Sequence, residues 1–82
     1  MKTHIIKTDM LPFIAMWEGD KTSEFRWNDR DYKVGDQLIS TCEETLGCIL
    51  GNISHVQEGY GIPKGYVVLS IKVTQKLRGY NA

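Results

Sequence analysis

The sequence has little of almost everything that would declare a chemistry outright. It has no surplus of charge, because ten Lys and Arg balance ten Asp and Glu over 82 residues. A strongly basic domain is the usual footprint of nucleic-acid binding, so the total charge supplies none. The balance also argues against tight, non-specific binding to long duplexes, since that affinity comes from neutralising phosphates. Two Cys and two His are too few and too scattered for a zinc site. No metal or cofactor is expected. The longest uncharged apolar run is far shorter than the ~20 residues of a membrane-spanning helix, so no membrane partner is expected either.

Cys42 and Cys48 flank the short connection Glu43-Glu44-Thr45-Leu46-Gly47 and could face each other across a hairpin. With no signal peptide at the start of the sequence, they read as reduced, half-buried thiols of a cytoplasmic protein. A chain of 82 residues is one domain, 1–82, and too short to divide into two cores. Its stability should be on the order of 5 kcal/mol.

The order of elements can be read from periodicity. His4-Ile5-Ile6-Lys7 is a β-branched run and predicts a first strand. Asp9 stands where a helix N-cap would stand, and Pro12 is tolerated in a first helical turn. Leu11, Phe13, Ile14, Met16 and Trp17 follow at mostly helical spacing, and Gly19 is placed as the residue after the helix end. From Thr22 to Asn28 the pattern becomes alternation: Ser23, Phe25 and Trp27 on one side, Thr22, Glu24, Arg26 and Asn28 on the other. Phe25 asks for a core, which assigns the charged set to a cleft or to solvent.

Val34-Gly35-Asp36 reads as a turn into a strand from Gln37 to Thr41, and Cys48–Val56 pairs back on it with a bulge at Gly51. Gly59–Gly65 holds three Gly besides Pro63 and is a loop. Tyr66–Val73 is the strongest strand pattern in the chain and is expected to be central. The fold class that results is mainly β with one or two short helices (α+β), a small curved sheet or barrel closed by the helix.

The candidate site is the turn after that helix. Lys21, Glu24 and Arg26 put a cation, an anion and a second cation within six positions, and Asn28-Asp29-Arg30-Asp31 follows at once. Lys21, Arg26, Arg30 and Lys33 all lie within thirteen positions, so local charge can do what global charge does not. Glu24 and Arg26, two apart on a strand, share a face. They are either a structural ion pair or a support that holds the Arg26 fork rigid for a phosphate or base edge, and the two roles are compatible. Lys21 is either a solvated lysine or a ligand contact. Asn28 and Asp29 either build a turn or, with Arg30, reach the ligand. Trp17 and Trp27 read as core aromatics. Tyr60, in the Gly-rich loop, is the better candidate for stacking on a base. His4 and His55 read as ordinary strand residues.

The order strand, helix, Gly-x-Lys-x-x-Glu-x-Arg, then several strands resembles the ASCH domain of the PUA-like superfamily. The motif here is Gly19, Lys21, Glu24 and Arg26. The run from Asn28 to Asp36 and the later Gly65-Tyr66-Val67-Val68-Leu69 are similar to a short bacterial and phage branch whose function is unassigned. The resemblance implies a PUA-like β-barrel with the helix beside a ligand cleft, and an RNA or a nucleotide-like small molecule as partner. Lys21, Glu24, Arg26, Asn28, Arg30 and Tyr60 would then be the ligand-binding residues. Some members of that superfamily are amidohydrolases on acylated cytidine, and some are ribonucleases. A small hydrolase with Lys21 and Glu24 as its catalytic pair is therefore an alternative to a binding module. The amidohydrolase motif, however, has a hydroxyl residue three positions after the lysine, where this chain has Glu24. Glu58 is the only carboxylate side chain available after Glu44 for that enzyme's late acid. A protein-interaction module is the third reading.

Overall fold

Alternation governs the buried part of each strand in the computed structural model, which describes residues 1–79. In β1 (Thr3–Lys7) His4 and Ile6 are buried between exposed neighbours. β3 (Gln37–Cys42) buries Leu38, Ser40 and Cys42, and β4 (Gly47–Gln57) buries Gly47, Ile49, Gly51 and Ile53. β5 (Tyr66–Leu77) buries Val67, Leu69 and Ile71, and its last six residues run out exposed. β2 (Ser23–Trp27) completes the set.

The one helix among the described residues, α1 (Met10–Trp17), covers the inner face with Phe13 and Met16. Asp9 occupies its N-cap but makes no side-chain cap bond. Its far end is a Schellman motif: the Gly19 N–H donates to the Met16 carbonyl at 3.2 Å and the Asp20 N–H to the Ala15 carbonyl at 2.9 Å. Gly19 has φ 87°, a value that disfavours any residue with a Cβ.

The five strands form one sheet in the order β1-β3-β4-β5-β2. β1 and β3 are parallel and the other pairs antiparallel. β1 and β2, the strands on either side of α1 in the sequence, are therefore the two edges. The sheet curls into a half-barrel, so the fold is mainly β with one short helix. Two register shifts, at Leu50/Gly51 and Ile53/His55, sharpen the twist between β4 and β5. At the first, a Cβ on Gly51 would stand 2.6 Å from Ile71 Cγ2, so the close approach requires glycine. The core gathers Ile6, Phe13, Leu38, Ile49, Ile53, Val67, Leu69 and Ile71 around Tyr32, with Trp17 half-buried against it.

Three expectations are corrected here. Phe25 does not enter the core; it is 54% exposed, and Trp27 is 55% exposed, while Glu24 is 8% exposed. Opposite residues in an antiparallel pair share a face, and Glu24 and Arg26 lie opposite the buried Leu69 and Val67. The charged set of β2 thus looks inward and the aromatic set outward. Cys42 and Cys48 do not face each other, because Cys42 pairs with Gly47 and Cys48 with Thr41, one position apart and on opposite faces. Both are free thiols. His4 is not an ordinary strand residue; it is buried against Asp36 and Tyr32, as set out below. Among the described residues no helix is long and apolar enough to cross a membrane.

Candidate functional site

The chain after α1 turns at Gly19, and Lys21 stands in that turn two residues before β2 begins. Lys21 Nζ lies 3.1 Å from Glu24 Oε1 and also donates to the Ser23 carbonyl. Arg26 Nη1 lies 3.7 Å from the other carboxylate oxygen, Oε2. One nearly buried carboxylate is therefore flanked by two cations, and the group carries a net positive charge. Burying Glu24 alone would be costly, and the two cations offset that cost. At 3.7 Å the Arg26 contact is an ion pair without a hydrogen bond, so its donors remain available to a ligand.

These three side chains wall a cleft of about 430 Å³. Its opposite wall is the junction of β1 and α1: Lys7, Thr8, Asp9 and Pro12. The cleft thus occupies the gap between the two edges of the half-barrel, where strands of a closed barrel would meet. Thr8 Oγ1 is buried there with no hydrogen-bond partner. Phe25, from the outer face of β2, reaches the rim because β2 is an edge strand with no further strand beside it.

Not all the residues singled out from the sequence come together. Lys21, Glu24 and Arg26 do. Asn28 lies outside this cleft; its Oδ1 accepts the Tyr32 N–H at 3.1 Å, closing the turn before β3. Arg30 is exposed and also stands outside the cleft. Tyr60 is 96% exposed in the loop between β4 and β5, with a left-handed φ of 54°. Glu58 lines a separate hollow with Asn28 and Tyr32.

Sequence reasoning missed two parts. Lys7, Thr8, Asp9 and Pro12 carry no signal of their own, since only the curl of the sheet brings the β1–α1 junction opposite β2. The second is a buried polar anchor. Asp36, 3% exposed, accepts the Lys2 N–H on Oδ1 at 3.0 Å and the Lys33 N–H on Oδ2 at 3.1 Å. His4 Nε2 stands 2.8 Å from the same Oδ2. The Lys2 amide above all, then His4, lowers the Asp36 pKa to about 2 against the opposing effect of burial. An ionised carboxylate can only accept, so His4 carries its proton on Nε2. The His4 ring meets Tyr32 edge-on at 4.8 Å. This anchor fixes the segment between β2 and β3 and leaves the cleft to other residues.

No curated protein matches the chain. A family model described as a domain of unknown function, DUF3850, matches residues 3–71, which span β1, α1, the whole Lys21–Arg26 motif and the buried half of β5. The chain, with its half-barrel and its cleft between the sheet edges, belongs to the DUF3850 family.

Proposed function

We propose that this chain is an ASCH-like, PUA-like module that binds RNA or a nucleotide-like ligand in the cleft between β1 and β2. The observation that carries the reading is the pairing of Lys21 and Arg26 on the two oxygens of one buried carboxylate, at the wall of an open cleft. Placed in this way, the Arg26 fork keeps its donors for a phosphate or a base edge. The unpartnered Thr8 hydroxyl adds a polar group with no duty inside the fold. The Gly19-Lys21-Glu24-Arg26 motif, placed after a short helix and running into an edge strand, supports the same assignment.

The hydrolase alternative takes less support. An amine nucleophile needs a free lone pair, whereas Lys21 is placed as a donor to Glu24 and the Ser23 carbonyl. Incubation with acylated cytidine and with single-stranded RNA, read by mass spectrometry, tests it; turnover that a Lys21→Ala variant loses would replace the binding reading.

An amide NMR titration with nucleosides, nucleotides and short RNAs tests the proposal itself. Saturable shifts at Thr8, Asp9 and Lys21–Arg26 are the expected result. Absence of shifts at millimolar ligand would defeat it and move the protein-interaction reading ahead.

A further inference from the structure

β2 presents two exposed rings on its outer face. Phe25 lies over Tyr66 of β5 with centroids 5.1 Å apart and planes only 7° off parallel, so one π-face is covered and the other is open. Trp27 meets Tyr66 edge-on, at 5.2 Å and 81°. The six-membered ring of Trp27 rests on the backbone of Gly65, where an added Cβ would stand 3.1 Å from Cζ3. Trp27 as a whole remains 55% exposed. Tyr66 thus works as a spacer that holds two large aromatic rings in fixed orientations while leaving each more than half exposed.

Phe25, Tyr66 and Trp27 form one aromatic cluster on this face, and three features point to nucleobases as its occupant. Phe25 is itself a wall of the cationic cleft, so a ligand leaving that cleft around the edge of β2 meets its ring first. Trp27 follows two residues further along the strand, about 6.6 Å away at ~3.3 Å per residue, a spacing one sugar-phosphate unit can bridge. The charge at both ends of the path suits phosphate: Lys21 and Arg26 stand in the cleft on the inward side of β2, where the path begins, and the exposed Lys64 precedes the Gly65 on which Trp27 lies. Oriented π-faces beside cations are the means by which proteins hold single strands, since every base has a face to stack.

We infer that the outer face of β2 is a stacking platform for a single-stranded nucleic acid: the strand seats a phosphate at Lys21 and Arg26, then rounds the sheet edge and lays successive bases on Phe25 and Trp27. The inference rests on the proposed function of the cleft and narrows its ligand from a nucleotide to a single strand of several nucleotides.

Binding of the whole chain to hexauridylate and to an abasic hexamer with the same phosphates tests it. Trp27→Ala is expected to weaken hexauridylate roughly tenfold or more and to leave the abasic hexamer unaffected. Trp27→Tyr, which keeps a π-face, is expected to restore most of the loss. Arg26→Ala is expected to weaken both hexamers. If Trp27→Ala bound hexauridylate like the parent while Arg26→Ala did not, the platform would be wrong and the cleft would stand. If neither variant differed from the parent, the cleft reading would fall with it. A loss on the abasic hexamer equal to that on hexauridylate would also overturn stacking. Sedimentation closes the remaining route: a parent that self-associates where Trp27→Ala is monomeric would make this face a contact between copies instead.

Discussion

Glu24 Oε1 sits 3.1 Å from Lys21 Nζ, three residues away, while its second oxygen faces Arg26. The separation is local, but the burial is not: the carboxylate lies inward because β2 pairs with β5 at the edge of the sheet. A single acid therefore sets the position of both cations on the cleft wall.

Removing that acid should affect stability and binding together. Glu24→Gln leaves two cations facing each other with a neutral amide between them, at an expected cost of about 1–2 kcal/mol. Urea denaturation measures it. A variant as stable as the parent would show that the pair does not organise the turn.

The cations should act on binding beyond the stability they lend Glu24, without unfolding the domain. Lys21→Ala and Arg26→Ala are each expected to weaken a short single-stranded RNA about tenfold, a loss near 1.4 kcal/mol, with an unchanged circular dichroism spectrum. Arg26→Lys should restore only part, because an ammonium lacks the planar fork. Calorimetric titration reads all three, and parental affinity in both alanine variants would remove the cleft from the function.

Salt dependence gives an independent count of phosphate contacts. One phosphate of a single strand, seated by Lys21 and Arg26 together, predicts a slope of log K against log salt of roughly −0.7. A slope near zero would mean that the cleft recognises its ligand without phosphate.

Asp36 ties stability to pH in a defined direction. Its folded pKa, about 2, lies below the ordinary carboxylate value, so the group stabilises the fold at pH above that ordinary value. The contribution is lost as pH falls from the ordinary carboxylate range towards about 2. Asp36→Asn is expected to lower the Tm at neutral pH by roughly 5–10 °C and to flatten the acid limb of the Tm profile. Parallel acid limbs for variant and parent would assign acid sensitivity to other groups.

Gly51 is the tightest point of the sheet. Gly51→Ala places a Cβ 2.6 Å from Ile71 Cγ2 and 2.8 Å from the Lys72 carbonyl oxygen, and backbone cannot step aside as a side-chain tip can. A loss of roughly 1–3 kcal/mol is expected by thermal or chemical denaturation. No loss would mean that the two strands can part there without consequence.

Much of the fold was legible because its signals are local. The helix end at Gly19 and the turn at Val34–Asp36 rest on glycine chemistry within a few residues, and each stands where the pattern put it; the bulge expected at Gly51 in its pairing with β3 lies instead on the β5 side, where Thr74 is the extra residue opposite Leu50 and Gly51. Lys21, Glu24 and Arg26 came together for the same reason, since separations of two and three residues allow little else. The phase of β2 was a different matter. A five-residue alternation of aromatic and charged side chains fits either face inward, and a preference for burying Phe25 chose the wrong one.

The sequence by itself determined the strands, the helix, the local cluster of charge and most element boundaries to within a residue or two; the end of β5 is the exception, since the strand runs to Leu77 and its pattern stopped at Val73. Only the tertiary structure decided which side of β2 looks inward, because that follows from its pairing with Val67 and Leu69 some forty positions later. It also decided the other wall of the cleft. Thr8 and Asp9 face Glu24 and Arg26 only because the sheet stops at a half-barrel and leaves its two edges open to each other. His4 and Asp36 likewise meet across 32 positions. Periodicity reports which residues share a face; the closing of the sheet on itself determines what that face meets.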